Sequence, residues 1–232
     1  MERRKFTRAM VWGWAAPAGL ALLAPAQASG LSETDAAAGV RAALERGALA
    51  AVALLGQTDG FLGNALVRIP LPGYLSDAAK LLKAAGQGKR LEELVTAMNR
   101  AAEAAVPVAK PLFVRAVKSA SVDDALKVVR GGATSVTDFF AGKTREPLSA
   151  SFLPIVTQAT QKVSLAERYN AVASRAAGLG LVKGDESSIE RYVTGRALNG
   201  LFLMIGEEEK KIRADPVKTG SALLKRVFAR NP

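Results

Sequence analysis

The sequence contains no cysteine and no histidine, and both absences narrow what the protein can do. Without cysteine there is no disulfide scaffold, no thiol nucleophile and no attachment point for a lipoprotein anchor. Without histidine the chain lacks the commonest general base and the commonest ligand of transition metals. Serine–histidine–aspartate hydrolases, zinc proteases and histidine-ligated haem proteins are therefore excluded. We expect neither a bound metal nor another cofactor.

The N-terminus has the pattern of an export signal. Basic residues that include Arg3 and Arg4 precede an apolar stretch over 9–24, and the small-residue pattern of a cleavage site follows with Ala26 and Ala28. The apolar stretch is shorter than the roughly 20 residues that a membrane-spanning helix needs. We therefore expect a signal peptide that is cleaved and a mature protein that is not anchored in the membrane.

The paired arginines are similar to the twin-arginine translocation motif, in which Phe follows the pair after one intervening residue. Two positions differ, because Glu2 stands in place of Ser or Thr and Thr7 in place of Leu. An ordinary secretory signal, for which any cluster of positive charge suffices, is the alternative. Either route predicts contact with the export machinery, a signal over 1–28 and a single periplasmic domain over 29–232.

Basic residues outnumber acidic ones, 32 against 21, for a formal net charge of +11. Such an excess attracts anionic partners. In the periplasm the available anions are lipid head groups, cell-wall polymers and acidic proteins. Aromatic residues make up 6% of the chain, too few for a platform that stacks bases, so we expect no nucleic-acid partner.

Apolar residues recur three and four positions apart along most of the chain, which predicts an all-α fold, a single irregular multi-helix bundle. The predicted helices span residues 33–55, 77–85, 89–105, 108–118, 122–129, 135–140, 146–162, 165–177, 188–213 and 217–229. Ser121 with Asp124, and Ser187 with Glu190, have the spacing of a capping box at a helix start. The run 201–205 is apolar on every side of its helix, so we expect it to be buried all round.

Residues 60–75 break the helical pattern. Pro70 and Pro72 hold the residues before them out of the helical region, and apolar residues occupy every second position over 67–71. We expect an extended proline-rich segment that packs into a groove between helices. The alternative is that this segment lines a ligand site.

The same segment carries a resemblance to a known family. Asp-Gly-Phe-Leu-Gly-Asn over 59–64, followed by Val-Arg-Ile-Pro-Leu-Pro over 67–72, resembles the exported bacterial proteins called domain of unknown function 4197. Blocks over 124–134, 152–156 and 192–209 are similar as well. The resemblance extends over essentially the whole mature chain. It implies a bacterial, exported, mainly helical protein, and it implies no activity and no catalytic residue.

Gly142-Lys143-Thr144 has the ending of a nucleotide phosphate loop. That motif also needs a glycine where Thr137 stands, and it needs a preceding strand. We therefore interpret the tripeptide as a turn between two helices.

Glu207-Glu208-Glu209 could supply carboxylates for a metal or for acid–base chemistry. Neighbouring positions on a helix point about 100° apart, so three in a row do not converge on one ion. Pairing of Glu207 with Lys211 and of Glu209 with Arg213 accounts for them as a solvated face, since both pairs are four residues apart. An inward turn of one glutamate beside the buried apolar run is the alternative.

The candidate ligand-binding residues are basic side chains in or beside the expected turns, near glycine: Arg68, Arg130, Lys143 and Arg145. Such groups could converge on a phosphate, sulfate or carboxylate. Dispersed surface charge, paired with carboxylates such as Asp124, is the alternative. The amphipathic stretch 217–230 could rest on an anionic membrane surface, or it could dock on the core as a terminal helix.

These observations favour a non-catalytic binding protein for a small anionic or amphipathic ligand or for a partner in the cell envelope. A hydrolase or lyase that combines carboxylates with Arg, Lys or a tyrosine such as Tyr169 or Tyr192 stays open. A scaffold or interaction protein of the envelope is the third hypothesis. The chain leans away from an enzyme because no nucleophile–base pair is recognisable.

Overall fold

All regular structure in the part of the chain that can be described is helical. The computed structural model describes residues 33–73, 80, 83–162, 166–167, 169–171 and 187–215. These residues form six α-helices and one short 3₁₀ segment, with no strand among them. The predicted all-α fold is confirmed.

The helices are α1 (Glu33–Leu55), α2 (Gly88–Ala105), α3 (Ala109–Lys118), α4 (Val122–Arg130), α5 (Ser135–Thr160) and α6 (Ile189–Ala214). The 3₁₀ segment Val106–Val108 joins α2 to α3. For α1 to α4 and α6 the predicted ends agree to within one residue. The predicted helices over 77–85 and 165–177 lie mostly outside the described residues. The signal over 1–28 and the helix over 217–229 lie entirely outside them.

Helix starts show one confirmed prediction and one error. At α4, the Ser121 hydroxyl accepts from the amide of Asp124, and the Asp124 carboxylate accepts from the amide of Ser121, which is the predicted capping box. Hydrogen bonding from the backbone of Ser121 holds the pKa of Asp124 below its usual value. At α6 the predicted box was wrong by one residue, because Ser188 caps the helix by accepting from the amide of Arg191.

Helix α5 corrects a second prediction. The sequence predicts two helices with a turn at 142–144, but the structure has one helix from Ser135 to Thr160. One glycine costs an interior helical turn only about 1 kcal/mol, and burial of Phe140 and Leu148 on both sides of Gly142 outweighs that cost. Thr144 donates its hydroxyl to the carbonyl of Phe140 at 2.6 Å. No phosphate loop exists at this position.

Helices α5 and α6 form the central pair and share the most extensive contact in the fold. Helix α2 packs on α5, while α1 packs on α6, α3 and α4. In the core, the rings of Phe113 on α3 and Phe140 on α5 meet edge to face at 4.9 Å. The ring of Phe202 on α6 approaches that of Phe113 at 6.4 Å. Burying each such side chain contributes about 1.5–3 kcal/mol. None of the described helices is both long and apolar enough to cross a bilayer.

The apolar run on α6 is buried on most of its circumference. Leu201, Phe202, Met204 and Ile205 are buried, but Leu203 is 43% exposed. The prediction of burial all round was therefore wrong at Leu203, whose side of α6 stays partly open to solvent. A surface groove, described below, runs along it instead.

The proline-rich segment between α1 and α2 is less extended than predicted. Its first part, 57–67, is a series of tight turns. The amides of Gly63 and Arg68, for example, donate to carbonyls four residues earlier. Residues 68–72 carry neither helix nor turn. Phe61, Val67 and Ile69 are buried, which confirms the prediction that the segment packs between helices.

Candidate functional site

Helix α2 holds the proline-rich segment with a side-chain amide. Asn99 accepts from the amide of Ile69 at 2.8 Å and donates to the carbonyl of the same residue at 2.9 Å. It satisfies both backbone groups as a neighbouring strand would, and it is fully buried. Because buried backbone groups need partners, Asn99 fixes the path of the chain at Ile69.

The second anchor on α2 is the buried carboxylate of Glu103. One oxygen accepts from the amides of Phe61 and Leu62 at 3.0 and 3.1 Å. The other accepts from Arg100 at 2.6 Å, and Arg100 also reaches Asp59 at 2.8 Å. The hydrogen bonds to Glu103 and then to Asp59 raise the pKa of Arg100. Every contact of this carboxylate orders the segment.

Helix α6 completes the attachment of the segment. The Tyr192 hydroxyl donates to the carbonyl of Pro70 at 3.0 Å. Farther along α6, a Cβ added at Gly200 would lie 2.9 Å from the Phe61 ring and 3.2 Å from Val67. Gly200 therefore permits a close approach that no other residue would allow without a shift.

A second buried carboxylate, Glu209, joins α6 to the start of α5. Its side chain is 2% exposed and pairs with Arg213 at 2.7 Å. It also accepts from the amide of Val136 at 3.2 Å and from the Ser135 hydroxyl at 3.3 Å. Burial raises the pKa of Glu209, while Arg213 and the Val136 amide oppose that rise. A carboxylate at a helix N-terminus is also favoured by the helix dipole.

These contacts decide between the two interpretations of the three glutamates. Glu209 turns inward, the alternative stated above, and its predicted pairing with Arg213 is confirmed. The predicted pairing of Glu207 with Lys211 was wrong. Glu207 pairs with Lys210 at 2.7 Å and Glu208 with Lys211 at 2.6 Å, since residues three apart on a helix are also neighbours.

A groove runs along the outer side of α6, and we call it the α6 groove. It begins as a cleft of about 520 Å³ between α5 and α6. The residues of this first cleft that matter here are Gly142, Arg145 and Glu146 of α5 and Arg191, Thr194 and Gly195 of α6. It is open to solvent on one side.

Two smaller clefts continue the groove between α6 and the proline-rich segment. The middle cleft, about 430 Å³, shares Arg191 and Gly195 with the first and reaches Leu71. The last, about 170 Å³, shares Arg196 and Asn199 with the middle one. It is bordered by Leu66, Val67 and Arg68 on one wall and by Leu203 on the other. From Arg191 to Leu203 the groove extends about 18 Å along the helix.

The first cleft is wide because two of the residues that border it are glycines. A Cβ added at Gly142 or at Gly195 would meet nothing within 4 Å. Both glycines lie inside helices, where glycine is about 1 kcal/mol less favourable than alanine. Unlike Gly200, neither is required by helix packing, and each leaves space open to the groove.

Four arginines border the groove, and within the described ranges none of them forms an ion pair: Arg68, Arg145, Arg191 and Arg196. Arg145 lies 5.0 Å over the ring of Phe202 and donates to the side-chain oxygen of Asn199 at 3.0 Å. Arg196 lies 5.7 Å from the centre of the Tyr192 ring. The aromatic rings orient these guanidinium groups without cancelling their charge.

Thr194 adds an unsatisfied polar group to the first cleft. Its hydroxyl is buried, and it is the one buried side-chain oxygen or nitrogen in the described part of the chain that lacks a hydrogen-bond partner. Leaving such a group unsatisfied costs about 1–3 kcal/mol.

The residues predicted from sequence fall into two groups. Arg68 and Arg145 border the groove, in its last and first clefts. Lys143 borders a different cleft with Asp124, whose carboxylate lies 3.9 Å away. Arg130 is exposed at the end of α4 and borders none of the three clefts of the groove. The signal residues Arg3, Arg4, Ala26 and Ala28 and the stretch 217–230 lie outside the described residues.

Sequence reasoning missed Arg191, Thr194 and Arg196. A signal was present, because 191, 195, 199 and 203 are four residues apart and share one side of α6. That side carries Arg, Gly, Asn and Leu, too mixed a stripe to pack in a core. Within the described ranges, no three carboxylates lie close enough together to hold a metal ion.

Comparison with known proteins gives one match. No curated protein and no solved structure matches this chain. A family model described as "Protein of unknown function (DUF4197)" matches residues 30–229, which confirms the resemblance noted in the sequence. The match covers the proline-rich segment, both anchoring carboxylates and the whole α6 groove. The chain therefore belongs to the DUF4197 family of proteins of unknown function.

Proposed function

We propose that the protein is a non-catalytic binding protein whose ligand, a small molecule with a negatively charged group, lies in the α6 groove. The observation that carries this proposal is the first cleft. There Arg145 and Arg191 stand without a carboxylate partner beside the buried, unpartnered hydroxyl of Thr194. A convergent set of donors in a concave surface is the usual form of a ligand site.

The chemistry of the cleft suits an oxyanion. Guanidinium groups donate parallel hydrogen bonds to phosphate and carboxylate oxygens. Arg145 is already oriented by Phe202 and Asn199, so binding would cost it little side-chain entropy. A single carboxylate, Glu146, borders the same cleft, where it would accept a hydroxyl group of a ligand.

The buried carboxylates support binding rather than catalysis. Glu103 and Glu209 each accept main-chain amides and an arginine. A general acid or base must have an oxygen within reach of a substrate, and these oxygens are already occupied by the fold. Neither glutamate borders the α6 groove.

Titration with hexyl phosphate at low salt, followed by calorimetry, tests the proposal. The wild-type protein is expected to bind at a single site. Arg191→Gln should weaken binding roughly tenfold or more, since a hydrogen bond to a charged group contributes about 1.5–3 kcal/mol. The matched control is Arg115→Gln, an exposed arginine on α3 outside the groove, and it should bind as the wild type does.

A second variant tests the location without changing charge. Gly195→Leu places a side chain into open space in the cleft and should abolish binding while the protein stays folded. Ala214→Leu adds a leucine to an exposed position of the same helix outside the groove, also without changing charge, and should have no effect. Failure of the wild-type protein to bind, or equal binding by Gly195→Leu, would contradict the proposal.

We also propose that the mature protein acts in the periplasm, after export directed by residues 1–28. The support is the sequence pattern of a basic start, an apolar stretch and a small-residue cleavage site. Replacing Arg3 and Arg4 by lysine keeps the charge but removes the twin-arginine pattern. Uncleaved precursor should then accumulate in the cytoplasm. Normal processing of this variant would contradict the twin-arginine route, and an uncleaved wild-type protein would contradict export.

A further inference from the structure

We infer that the ligand of the α6 groove is a single-chain amphiphile, with an anionic head group in the first cleft and an alkyl chain that lies along α6 to Leu66 and Leu203. This inference rests on the proposed function. It adds the ligand class and the ligand's direction in the groove.

The first cleft is the polar end. Arg145, Arg191, Glu146 and Thr194 border it, and they supply donors for an oxyanion and one acceptor. The Thr194 hydroxyl is buried there without a partner. An anionic head group would neutralise the positive charge of Arg145 and Arg191.

The last cleft carries the exposed apolar side chains of the groove, and Arg68, Arg196 and Asn199 border it as well. Leu66 is 65% exposed and Leu203 is 43% exposed, and they border the same cleft from two different elements. Among the described residues, the one other large apolar side chain with such exposure is Leu54, at 37% on α1. Two exposed leucines that face one cleft leave apolar surface that an alkyl chain would remove from water.

The middle of the groove suits an alkyl chain as well. Leu71 and Tyr192 border it. The methylene groups of Arg196 can cover an alkyl chain while the guanidinium group remains in water. The length of about 18 Å from Arg191 to Leu203 exceeds what a head group alone would fill. One extended chain therefore matches the length of the groove and the two exposed leucines at its far end.

The occupant is a monomeric amphiphile rather than a bilayer surface. A bilayer is contacted by apolar side chains that project from a convex or flat face. Here the exposed leucines and the arginines border the walls of a groove between α6 and its neighbours. A concave site encloses a single chain and excludes a lipid surface.

Chain length is the variable that tests this inference. Affinities of the wild-type protein for inorganic phosphate, hexyl phosphate and dodecyl phosphate are measured by calorimetry below the micelle concentration. Each methylene that is fully buried tightens binding up to about fourfold. Because the groove is open on one side, we expect dodecyl phosphate to bind at least about tenfold tighter than hexyl phosphate. Laurate in place of dodecyl phosphate distinguishes a carboxylate head group from a phosphate.

Two leucine variants locate the chain. Leu203→Gln should remove most of the dependence on chain length and leave the affinity for hexyl phosphate within about threefold of wild type. The matched control is Leu54→Gln, which changes an exposed leucine outside the groove and should leave the dependence intact. Arg191→Gln should weaken all alkyl phosphates by the same factor, because it acts on the head group.

The outcomes separate this inference from the proposal beneath it. Equal affinities for the short and long phosphates would overturn the amphiphile and leave anion binding intact. No binding of any phosphate or of laurate would overturn both. Tighter binding to phosphatidylglycerol vesicles than to dodecyl phosphate monomers, with no effect of Leu203→Gln, would overturn the inference in favour of a membrane surface.

Discussion

Two sets of arginines in this protein differ in what they contact. Arg100 and Arg213 pair with carboxylates that are themselves buried and hold main-chain amides. Arg145, Arg191 and Arg196 border the α6 groove and, within the described ranges, pair with no carboxylate. The first set is required by the fold. The second set is not, which is why it marks the surface where a ligand is proposed.

The two sets also differ in where each lies. The paired arginines lie at joints, where the proline-rich segment meets α2 and where α5 begins against α6. There a buried carboxylate substitutes for the missing helical or turn hydrogen bonds. The groove arginines lie beside glycines that leave space open. Charge that is balanced inside the fold holds elements together, while unbalanced charge beside open space is available to a ligand.

Glu209, the partner of Arg213, is the position where a substitution should lower stability most. Glu209→Ala should destabilise the protein by about 3–5 kcal/mol, because it breaks the buried ion pair with Arg213 and leaves the Val136 amide unsatisfied. Glu208→Ala is the control, since its pair with Lys211 is at the surface and contributes about 0–1 kcal/mol. Urea denaturation measures both. Equal and small losses would show that the joint at α5 does not depend on the buried carboxylate.

The next effect separates two glycines on α6. Gly200→Ala should destabilise by about 1–3 kcal/mol, because its methyl group would enter the contact with Phe61 and Val67. Gly195→Ala should instead stabilise by up to about 1 kcal/mol, because it gains helix propensity and meets nothing. Thermal and urea unfolding of the two variants measure the signs. Two losses of similar size would mean that the space at Gly195 is needed by the fold.

A smaller effect is the pH dependence of the stability that Glu209 contributes. Burial raises the pKa of this carboxyl above its usual value, so the folded protein binds the proton more tightly than the unfolded chain. The stability that Glu209 contributes is then fully present below the pKa of an ordinary glutamate, about 4.3. It decreases as the pH rises through the raised value.

Comparison with a variant that does not titrate isolates this pH dependence. In Glu209→Gln the other carboxyls, including Asp124 with its lowered pKa, contribute as they do in the wild type. The difference in unfolding free energy between wild type and Glu209→Gln should therefore decrease from about pH 4 toward neutrality. Urea titrations at several pH values measure it. A difference that increases with pH would mean that pairing with Arg213 outweighs burial.

Most helices could be predicted from sequence because local signals agree with the packing. Capping serines mark the starts of α4 and α6, and the apolar period indicates α1, α2 and α3. Helix α5 could not be predicted as one element, because Gly142 is a local stop signal that burial of Phe140 and Leu148 overrides. The turns over 57–67 were missed for a related reason: Glu103, about 40 residues away, supplies a partner for the amides of Phe61 and Leu62.

The groove was predictable only in part. Arg68 and Arg145 stood out because they lie near glycine and proline in the sequence. Arg191 and Arg196 lie inside a continuous helical pattern rather than beside an expected turn. Their role depends on how α5 and the proline-rich segment cross α6. Lys143 shares the same local signal as Arg145 but borders another cleft, because residues two apart on a helix point to different sides.

The most direct test of the central claim measures stability and binding on one variant, Arg191→Gln. Arg191 is exposed and has no ion pair among the described residues, so its loss should change the unfolding free energy by less than about 0.5 kcal/mol. The same protein should bind hexyl phosphate at least about tenfold more weakly than the wild type. Unchanged affinity, or weakened binding accompanied by a loss of several kcal/mol in stability, would contradict the division of the arginines into a structural set and a ligand-binding set.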